Sequence, residues 1–314
     1  MSGSDSLAPK PRGSGVAFVT GAAGFLGGAV AAAFVRAGWR VAGFDLTPGW
    51  SGGCAHWITG DVHRDALARA AGELGTPELV FHAAGGSSVG ASLADPEGDF
   101  ARTVGSVRQT LAYLTAEAPG ARLIYPSSAA VYGAASAGPL AETSPLTPMS
   151  PYGQHKLQAE AEIAAAGVEA VILRFFSLYG PGLRKQLLWD LARRLASKPV
   201  RLELSGTGQE LRDFLYVDDA VRLVGMAADA PLADGPLILN GARGEAISVR
   251  GVAETLAGAL GSDAIIGFSG ETRPGDPGAL VADISAARAA AFEPKISFED
   301  GVGRFARWFH DLPA

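Results

Sequence analysis

The chain has 314 residues, of which 48% are hydrophobic and 18% charged, and its formal net charge at pH 7 is −6. This length suffices for one large α/β unit with or without a smaller lobe, and because neither sign of charge runs in blocks, nucleic acid and anionic membranes are not expected partners. No apolar run is long enough to span a bilayer, and the single cysteine, Cys54, cannot form an intrachain disulfide, so we expect a cytoplasmic protein.

The chain begins with a segment, residues 1–15, that is rich in Ser, Gly and Pro. It lacks the apolar stretch of a signal peptide, so we expect a disordered leader.

Strands and helices are predicted to alternate after this leader. Apolar runs that meet turn residues predict strands at 16–20, 40–44, 55–59, 78–82, 122–125 and 170–174. Helical patterns lie between them, ending near 37, covering 65–73 and 100–118, and beginning again near 151. This alternation is typical of parallel βαβ units and predicts an α/β fold with a Rossmann-type doubly wound parallel sheet.

The alternation ends after Tyr179. A helix is predicted near 187–197 and a strand at 200–204, and Gly/Pro-rich stretches follow. We therefore expect 16–178 to form the sheet domain, with returning segments near 214–242. Residues 179–314 are expected to form mainly a smaller, partly discontinuous C-terminal substrate lobe.

A glycine-rich turn follows the first strand, with Gly21, Gly24 and Gly27 at a three-residue spacing. Glycines there let a pyrophosphate approach the backbone, and the free N–H groups of the helix start bind the anion. Small-residue turns before helices are common, so the motif alone does not decide the function. Asp45, at the end of the second strand, is placed to accept hydrogen bonds from the ribose hydroxyls of a dinucleotide. A carboxylate there would repel a 2′-phosphate, which favours NAD over NADP.

Two further residues, Asp61 and Val62, follow the third strand, where they are expected to cover the adenine of NAD. Gly-Asp is also an ordinary turn, so this motif is less specific than the glycine turn and Asp45.

A second motif begins at Ser150, where Ser and Pro151 form a good helix start. Tyr152 and Lys156 are four residues apart and share one face of that helix. A nearby ammonium and a nicotinamide cation would lower the pKa of the phenol toward a value useful for proton transfer.

The fifth strand leads into Ser127 and Ser128, at the carboxyl edge of the sheet, where ligands bind in this topology. Ser128 is expected to orient the reacting oxygen beside Tyr152 and Lys156, a set of residues that suits hydride transfer at a secondary alcohol. A serine nucleophile is the rival interpretation, but no Gly-x-Ser-x-Gly turn surrounds it. The scattered histidines suggest no metal site, and His82 is interpreted as structural.

With these motifs in hand, the sequence resembles the extended short-chain dehydrogenases/reductases, specifically the NAD-dependent nucleotide-sugar epimerase/dehydratase family. The similarity runs from Gly21 to about Arg288. The matching segments are 21–27, 82–85, 127–133, 152–156, 173–182, 206–219, 273–277 and 282–283.

This resemblance implies further contacts. The expected cofactor contacts include Phe25, Leu26, Ala83, Ala84 and Gly85, besides Tyr152 and Lys156. Arg212 and Arg273 are implied to bind the diphosphate of a nucleotide-diphosphate sugar, since guanidiniums pair with phosphate oxygens in a bidentate way. A homodimer formed through helices 100–118 and 151–166 is also implied.

Several residues depart from the family pattern. Ser177 and Thr103 stand where Asn is usual, and Ser87 stands where 4-epimerases often carry Lys; Ser87 and Ser177 remain candidate substrate contacts. Ala129 and Ala130 replace the Asp-Glu pair of similar dehydratases, so water elimination is not expected. Similar decarboxylases keep a Glu in this segment, which disfavours decarboxylation as well.

The expected function is therefore an NAD-dependent nucleotide-sugar epimerase that acts at C4 through a transient keto sugar. A nucleotide-sugar 4-dehydrogenase or 4-ketoreductase with an exchanging cofactor remains open, because the same residues serve each redox reaction. The third hypothesis is a non-catalytic regulatory protein that binds a dinucleotide. The retention of Ser128, Tyr152 and Lys156 argues against it.

Overall fold

The computed structural model describes residues 8–9, 13, 15–48, 52–133, 138–271 and 278–313. The strands are β1 (Val16–Thr20), β2 (Arg40–Asp45), β3 (His56–Thr59), β4 (Leu79–His82), β5 (Arg122–Ser128), β6 (Ala170–Phe175), β7 (Ser177–Tyr179), β8 (Arg201–Leu204), β9 (Leu211–Arg212), β10 (Phe214–Tyr216), β11 (Leu237–Gly241), β12 (Ile247–Ser248), β13 (Ile265–Phe268) and β14 (Ala279–Leu280). The helices are α1 (Phe25–Arg36), α2 (Arg64–Leu74), α3 (Val89–Ala94), α4 (Pro96–Phe100), α5 (Ser106–Glu117), α6 (Pro151–Ala165), α7 (Gln186–Ala196), α8 (Val217–Asp229), α9 (Val249–Ala259), α10 (Ser285–Ala289) and α11 (Phe298–His310).

A seven-stranded sheet forms the centre of the molecule, in the order β11-β6-β5-β4-β1-β2-β3. Every neighbouring pair in it is parallel. The strand order reverses at β1, so the carboxyl ends of β1 and β4 border the crevice in which α/β sheets bind ligands. The predicted Rossmann-type α/β fold is confirmed.

Both faces of this sheet are covered, as buried parallel strands require. Alternate residues of β1 show this: Ala17 and Val19 pack with α1 and α8, whereas Val16 and Phe18 pack with α2, α5 and α6. Successive side chains of a strand point to opposite faces, so one apolar run supplies both cores.

The smaller lobe has a hydrophobic core of its own. Its centre is Tyr179, whose ring lies against Phe214, Tyr216 and Phe298 at centroid distances of 5.9, 5.5 and 5.5 Å. The lobe is partly discontinuous because β11 leaves it to pair with β6 in the central sheet. The exact division of the chain into domains stays a prediction.

The helix predicted at 100–118 differs from the observed structure. Ala101–Gly105 form a π-helical segment between α4 and α5. Such wide turns often occur at functional sites, and this one brings Thr103 Oγ1 to the loop after β4, where it accepts a hydrogen bond of 2.8 Å from Gly86 N.

Part of the predicted leader contacts the folded chain. Trp39 Nε1 donates a hydrogen bond of 2.6 Å to Pro9 O, and the backbone N–H of Gly13 donates one of 3.0 Å to Glu78 Oε2. An indole and a carboxylate on the folded chain thus bind the backbone at Pro9 and Gly13, and the disorder expected of 1–15 stays a prediction.

Candidate active site

The turn between β1 and α1 requires its glycines. Gly21 has φ +65°, and a Cβ on it would lie 2.8 Å from the backbone of Ala83. A Cβ on Gly27 would lie 2.1 Å from Gly21 O, so only glycine lets α1 pack this closely. Gly24 begins α1 without a capping side chain, which leaves the first N–H groups of the helix available to a phosphate.

Asp45 ends β2 beside this turn. Its Oδ2 accepts a hydrogen bond of 2.9 Å from Ala23 N, and its Oδ1 accepts one of 2.9 Å from Thr47 N. These two bonds fix the carboxylate, and each oxygen keeps a lone pair for a ribose hydroxyl. The glycine cradle and the fixed carboxylate therefore fit NAD.

Three predicted catalytic side chains meet where β5 ends and α6 begins. Ser150 Oγ caps α6 by accepting a hydrogen bond of 3.2 Å from Gly153 N. This start places Tyr152 in the first turn, where its hydroxyl hydrogen-bonds with that of Ser128. Lys156, one turn later, is buried and donates a hydrogen bond of 2.9 Å to Pro126 O.

The protein does not lower the pKa of Tyr152, although the sequence analysis expected the nearby Lys156 to contribute to such a lowering. Burial raises the pKa of Tyr152, although the hydrogen bond with Ser128 opposes this effect. Lys156 Nζ lies 5.9 Å from the centre of the Tyr152 ring, and burial lowers the pKa of Lys156 to about 8. The protein alone thus does not lower the pKa of the phenol, and the predicted lowering depends on the added charge of the nicotinamide.

One cavity of about 1420 Å³ brings these elements together. Every predicted site residue within the described part of the chain lines it: Gly21, Gly24, Phe25, Leu26, Gly27, Asp45, Asp61, Val62, Ala83, Ala84, Gly85, Ser87, Ser128, Tyr152, Lys156, Ser177 and Arg212. Arg273 lies outside the described residues. The individual roles of these residues stay predictions.

His82 is fully buried at the end of β4 and holds the sheet to α5. Its Nδ1 lies 3.1 Å from Thr20 Oγ1 and 3.0 Å from Thr110 Oγ1, and its Nε2 lies 3.1 Å from Ser106 Oγ. Ser106 already donates its proton to Arg102 O, so Nε2 is the protonated nitrogen of His82. Burial lowers the pKa of His82 to about 3, which fits the structural interpretation.

A buried ion pair contacts Ser127, the residue that precedes Ser128. Arg174 Nη2 donates a hydrogen bond of 2.7 Å to Glu160 Oε2, and the two side chains are 3% and 5% exposed. Glu160 Oε1 accepts a second bond, of 2.5 Å, from Ser127 Oγ. This network joins β5, α6 and β6, and thereby fixes the position of α6 relative to the sheet.

Comparison with known proteins agrees with this geometry. The model of the NAD-dependent epimerase/dehydratase family matches residues 17–240. This chain belongs to the NAD-dependent epimerase/dehydratase family. It is therefore an NAD-dependent enzyme, and its fold and its family are those that the sequence motifs predicted.

Individual members of the family are similar over nearly the whole chain. A UDP-glucose 4-epimerase of Streptomyces lividans is 31% identical, over 88% of this chain and 90% of its own length. Another, of Azospirillum brasilense, is 29% identical over 96% and 92%. The structure of the Thermotoga maritima UDP-glucose 4-epimerase with UDP-glucose superposes with a TM-score of 0.85 at 25% identity, covering 94% of this chain and 98% of that one.

The sequence analysis did not predict some residues at or near the cavity of this chain. Lys185 and Gln109 line the cavity, and Asp99 is buried at the end of α4. None of them lies in a recognisable motif, so the sequence offered no signal for them. Among the residues that the structure describes, no helix has the length and apolar character needed to cross a membrane.

Proposed function

We propose that this chain is a nucleotide-sugar 4-epimerase that retains its NAD. The observation that carries the proposal is the single cavity in which the glycine turn, Asp45 and the Ser128–Tyr152–Lys156 group meet. Its volume of about 1420 Å³ leaves room for a nucleotide-diphosphate sugar beside the dinucleotide. The similarity to UDP-glucose 4-epimerases supports UDP-sugars as the first substrates to test.

In this proposal each catalytic side chain has one task. The glycine turn and Asp45 would hold NAD, which would supply the hydride acceptor and donor for C4 of the sugar. Tyr152 Oη removes the proton of the C4 hydroxyl and later gives it back, while Ser128 Oγ orients that oxygen. The ammonium of Lys156 stabilises the negative charge that develops on Tyr152.

The neighbouring residues favour epimerisation over elimination. Ala129 and Ala130, which follow Ser128 in the cavity wall, carry no group that could move the protons of water loss. We propose that Arg212, Ser177 and Ser87, all at the cavity, bind the nucleotide diphosphate and the sugar. Arg212 is the strongest of the three for a phosphate, because its guanidinium is permanently charged.

The test is to denature freshly purified protein and to identify the released dinucleotide by mass and absorbance. We expect stoichiometric NAD(H), and interconversion of a UDP-, dTDP-, GDP- or CDP-sugar with its C4 epimer when no cofactor is added. A protein that releases no dinucleotide would instead favour a 4-dehydrogenase or 4-ketoreductase whose cofactor exchanges. Released NADP(H) would contradict the role proposed for Asp45.

The proposed assembly is a cytoplasmic homodimer that forms through α5 and α6. These helices lie side by side and are joined on their outer surface by Arg108 Nη2 and Glu162 Oε1, 2.5 Å apart. Light scattering is expected to give about twice the 32.1 kDa of one chain, in protein recovered from the cytosolic fraction. A monomeric mass at micromolar concentration would contradict the proposal.

A further inference from the structure

Helix α6 begins with a backbone N–H that no residue of its own first turn binds. The first N–H groups of any α-helix lack a partner within the helix. Pro151, the first residue of α6, has no N–H, and the N–H of Gly153 is bound by the side chain of Ser150 at 3.2 Å. The N–H of Tyr152 lies between them, and its partner comes from another part of the chain.

That partner is Ser92, which lies on α3, 60 residues earlier in the sequence. The N–H of Tyr152 donates a hydrogen bond of 3.0 Å to Ser92 Oγ. Ser92 is 0% exposed, and its own hydroxyl proton is donated to Val89 O, 2.8 Å away. Because that proton is already used, Ser92 Oγ can only accept at Tyr152, which fixes the direction of both bonds.

Helix α3 is part of the cavity wall. Val89 and Leu93 line the cavity, and they are 43% and 63% exposed. The start of α3 is held by Ser88, whose Oγ accepts a hydrogen bond of 3.2 Å from Ala91 N. A ligand in the cavity would therefore lie against a wall that Ser92 joins to the backbone of Tyr152.

The position of the phenol depends on this backbone. The hydroxyl of Tyr152 hydrogen-bonds with that of Ser128, at the end of β5. A displaced first turn of α6 would move the phenol away from Ser128. Lys156 is secured separately, by its hydrogen bond of 2.9 Å to Pro126 O. Loss of the contact with Ser92 would thus affect Tyr152 more than Lys156.

Other contacts hold α6 at later turns. His155 Nδ1 lies 2.7 Å from Asp99 Oδ2, and Glu160 Oε2 lies 2.7 Å from Arg174 Nη2. These contacts act through side chains farther along the helix, whereas Ser92 binds the backbone of Tyr152 itself.

We propose that Ser92 is a positioning residue, which holds the backbone of Tyr152 against the cavity wall so that the phenol stays aligned with Ser128. The inference rests on the proposed role of Tyr152 in moving the proton of the C4 hydroxyl. Ser92 has no part in that proton transfer, because its hydroxyl is occupied by Val89 O and Tyr152 N.

The test is NMR of protein whose tyrosines carry 15N in the backbone and 13C at the ring carbon that bears the hydroxyl. The chain has six tyrosines, and the signals of Tyr152 are identified by their loss in Tyr152→Phe. In Ser92→Ala we expect the Tyr152 amide to exchange with solvent at least about fivefold faster, as the loss of one hydrogen bond implies. We also expect its ring-carbon signal to shift, because the hydrogen bond with Ser128 changes.

Tyr113, on α5, is the reference within the same spectra. A general loss of stability would speed exchange at Tyr113 and Tyr152 alike, whereas loss of a local contact speeds it at Tyr152 alone. Ser92→Thr keeps the hydroxyl and is expected to restore the slow exchange at Tyr152.

Ser248→Ala is the matched control variant. Ser248 caps α9 by accepting a hydrogen bond of 3.0 Å from Gly251 N, and the described residues that line the cavity include none of α9. The variant removes a hydrogen bond of the same length to a helix start. We expect it to lower the melting temperature about as much as Ser92→Ala does and to leave both Tyr152 signals unmoved.

In active enzyme, Ser92→Ala is expected to lower turnover by about 10–100-fold, with KM and NAD content unchanged. A small displacement of a catalytic group weakens its contact in the transition state more than it weakens the binding of the substrate. Ser248→Ala is expected to keep its turnover, and Ser92→Thr to recover it.

Unmoved Tyr152 signals in Ser92→Ala would overturn the proposal, since the later contacts of α6 would then suffice. Faster exchange at Tyr152 with unchanged turnover would overturn it as well. If Ser92→Ala does not fold, Ser92→Cys nearly keeps the size of the side chain with only a weak acceptor, and the same comparison decides. The NMR comparison needs no substrate, so failure of the proposed epimerase activity is recognised separately, by a lack of turnover in the unchanged chain.

Discussion

Tyr152→Phe is expected to lower the turnover of the bound sugar by about 10²–10⁴-fold while the NAD content of the purified protein stays unchanged. The variant keeps the aromatic ring near Lys156 and loses only the hydroxyl that hydrogen-bonds with Ser128. That hydroxyl is the proposed proton carrier between the C4 oxygen and the protein. The measurement is a single-turnover experiment that follows nicotinamide absorbance and product on the same sample.

Tyr113→Phe is the matched control. Tyr113 is also a buried tyrosine, but it lies on α5 and stacks on Phe18, at a centroid distance of 6.1 Å, away from the cavity. We expect its turnover to stay close to that of the unchanged chain. Retained turnover in Tyr152→Phe would favour the non-catalytic reading, and loss of the cofactor itself would mean that Tyr152 serves mainly in binding.

Arg174→Met is expected to lower the free energy of unfolding by about 3–5 kcal/mol. The change leaves the carboxylate of Glu160 buried with the hydroxyl of Ser127 and no guanidinium. A buried charge that loses its partner bears its full desolvation cost, whereas an exposed one is solvated by water. Urea unfolding at pH 7 and 25 °C, followed by circular dichroism, gives the difference.

The exposed pair of Arg288 and Glu293 is the control for this prediction. Its nitrogen and oxygen are 3.0 Å apart, comparable to the distances in the buried pair, but the side chains are 53% and 65% exposed. Arg288→Met is therefore expected to leave the free energy of unfolding unchanged within error. Equal losses in the two variants would contradict the argument from burial. Adding Glu160→Gln to Arg174→Met is expected to restore part of the stability, since it removes the unpaired charge.

The local pattern of the sequence determined the central sheet and the family. The side chains of Val16–Thr20 point alternately to the two faces of the sheet. Both faces are covered, so a strand buried in this way carries apolar side chains toward each of them. Gly21, Gly24 and Gly27 follow it because a turn with positive φ and a close helix cannot hold a Cβ. Local steric requirements of this kind are written in adjacent residues, so they can be read without the fold.

The spacing of Tyr152 and Lys156 was equally readable, since four residues on a helix define one face. The spacing did not reveal whether the protein raises or lowers the pKa of Tyr152. That quantity depends on how deeply the hydroxyl is buried and on which groups face it, and these come from segments far apart in the sequence. The π-helical segment at Ala101–Gly105 escaped prediction for a similar reason, because its residues have no distinctive local pattern.

Only the tertiary structure brought Asp99 to His155, and Glu160 to Arg174 and Ser127. Each of these contacts joins segments separated by 14 to 56 residues, and a lone Asp or Arg in a sequence is more often a solvated surface residue. The sequence by itself determined the strands of the sheet, the glycine-rich turn and helix α6, because each depends on neighbouring residues. The charges that act on that helix were decided by the fold, because electrostatic interaction depends on distance in space and on burial.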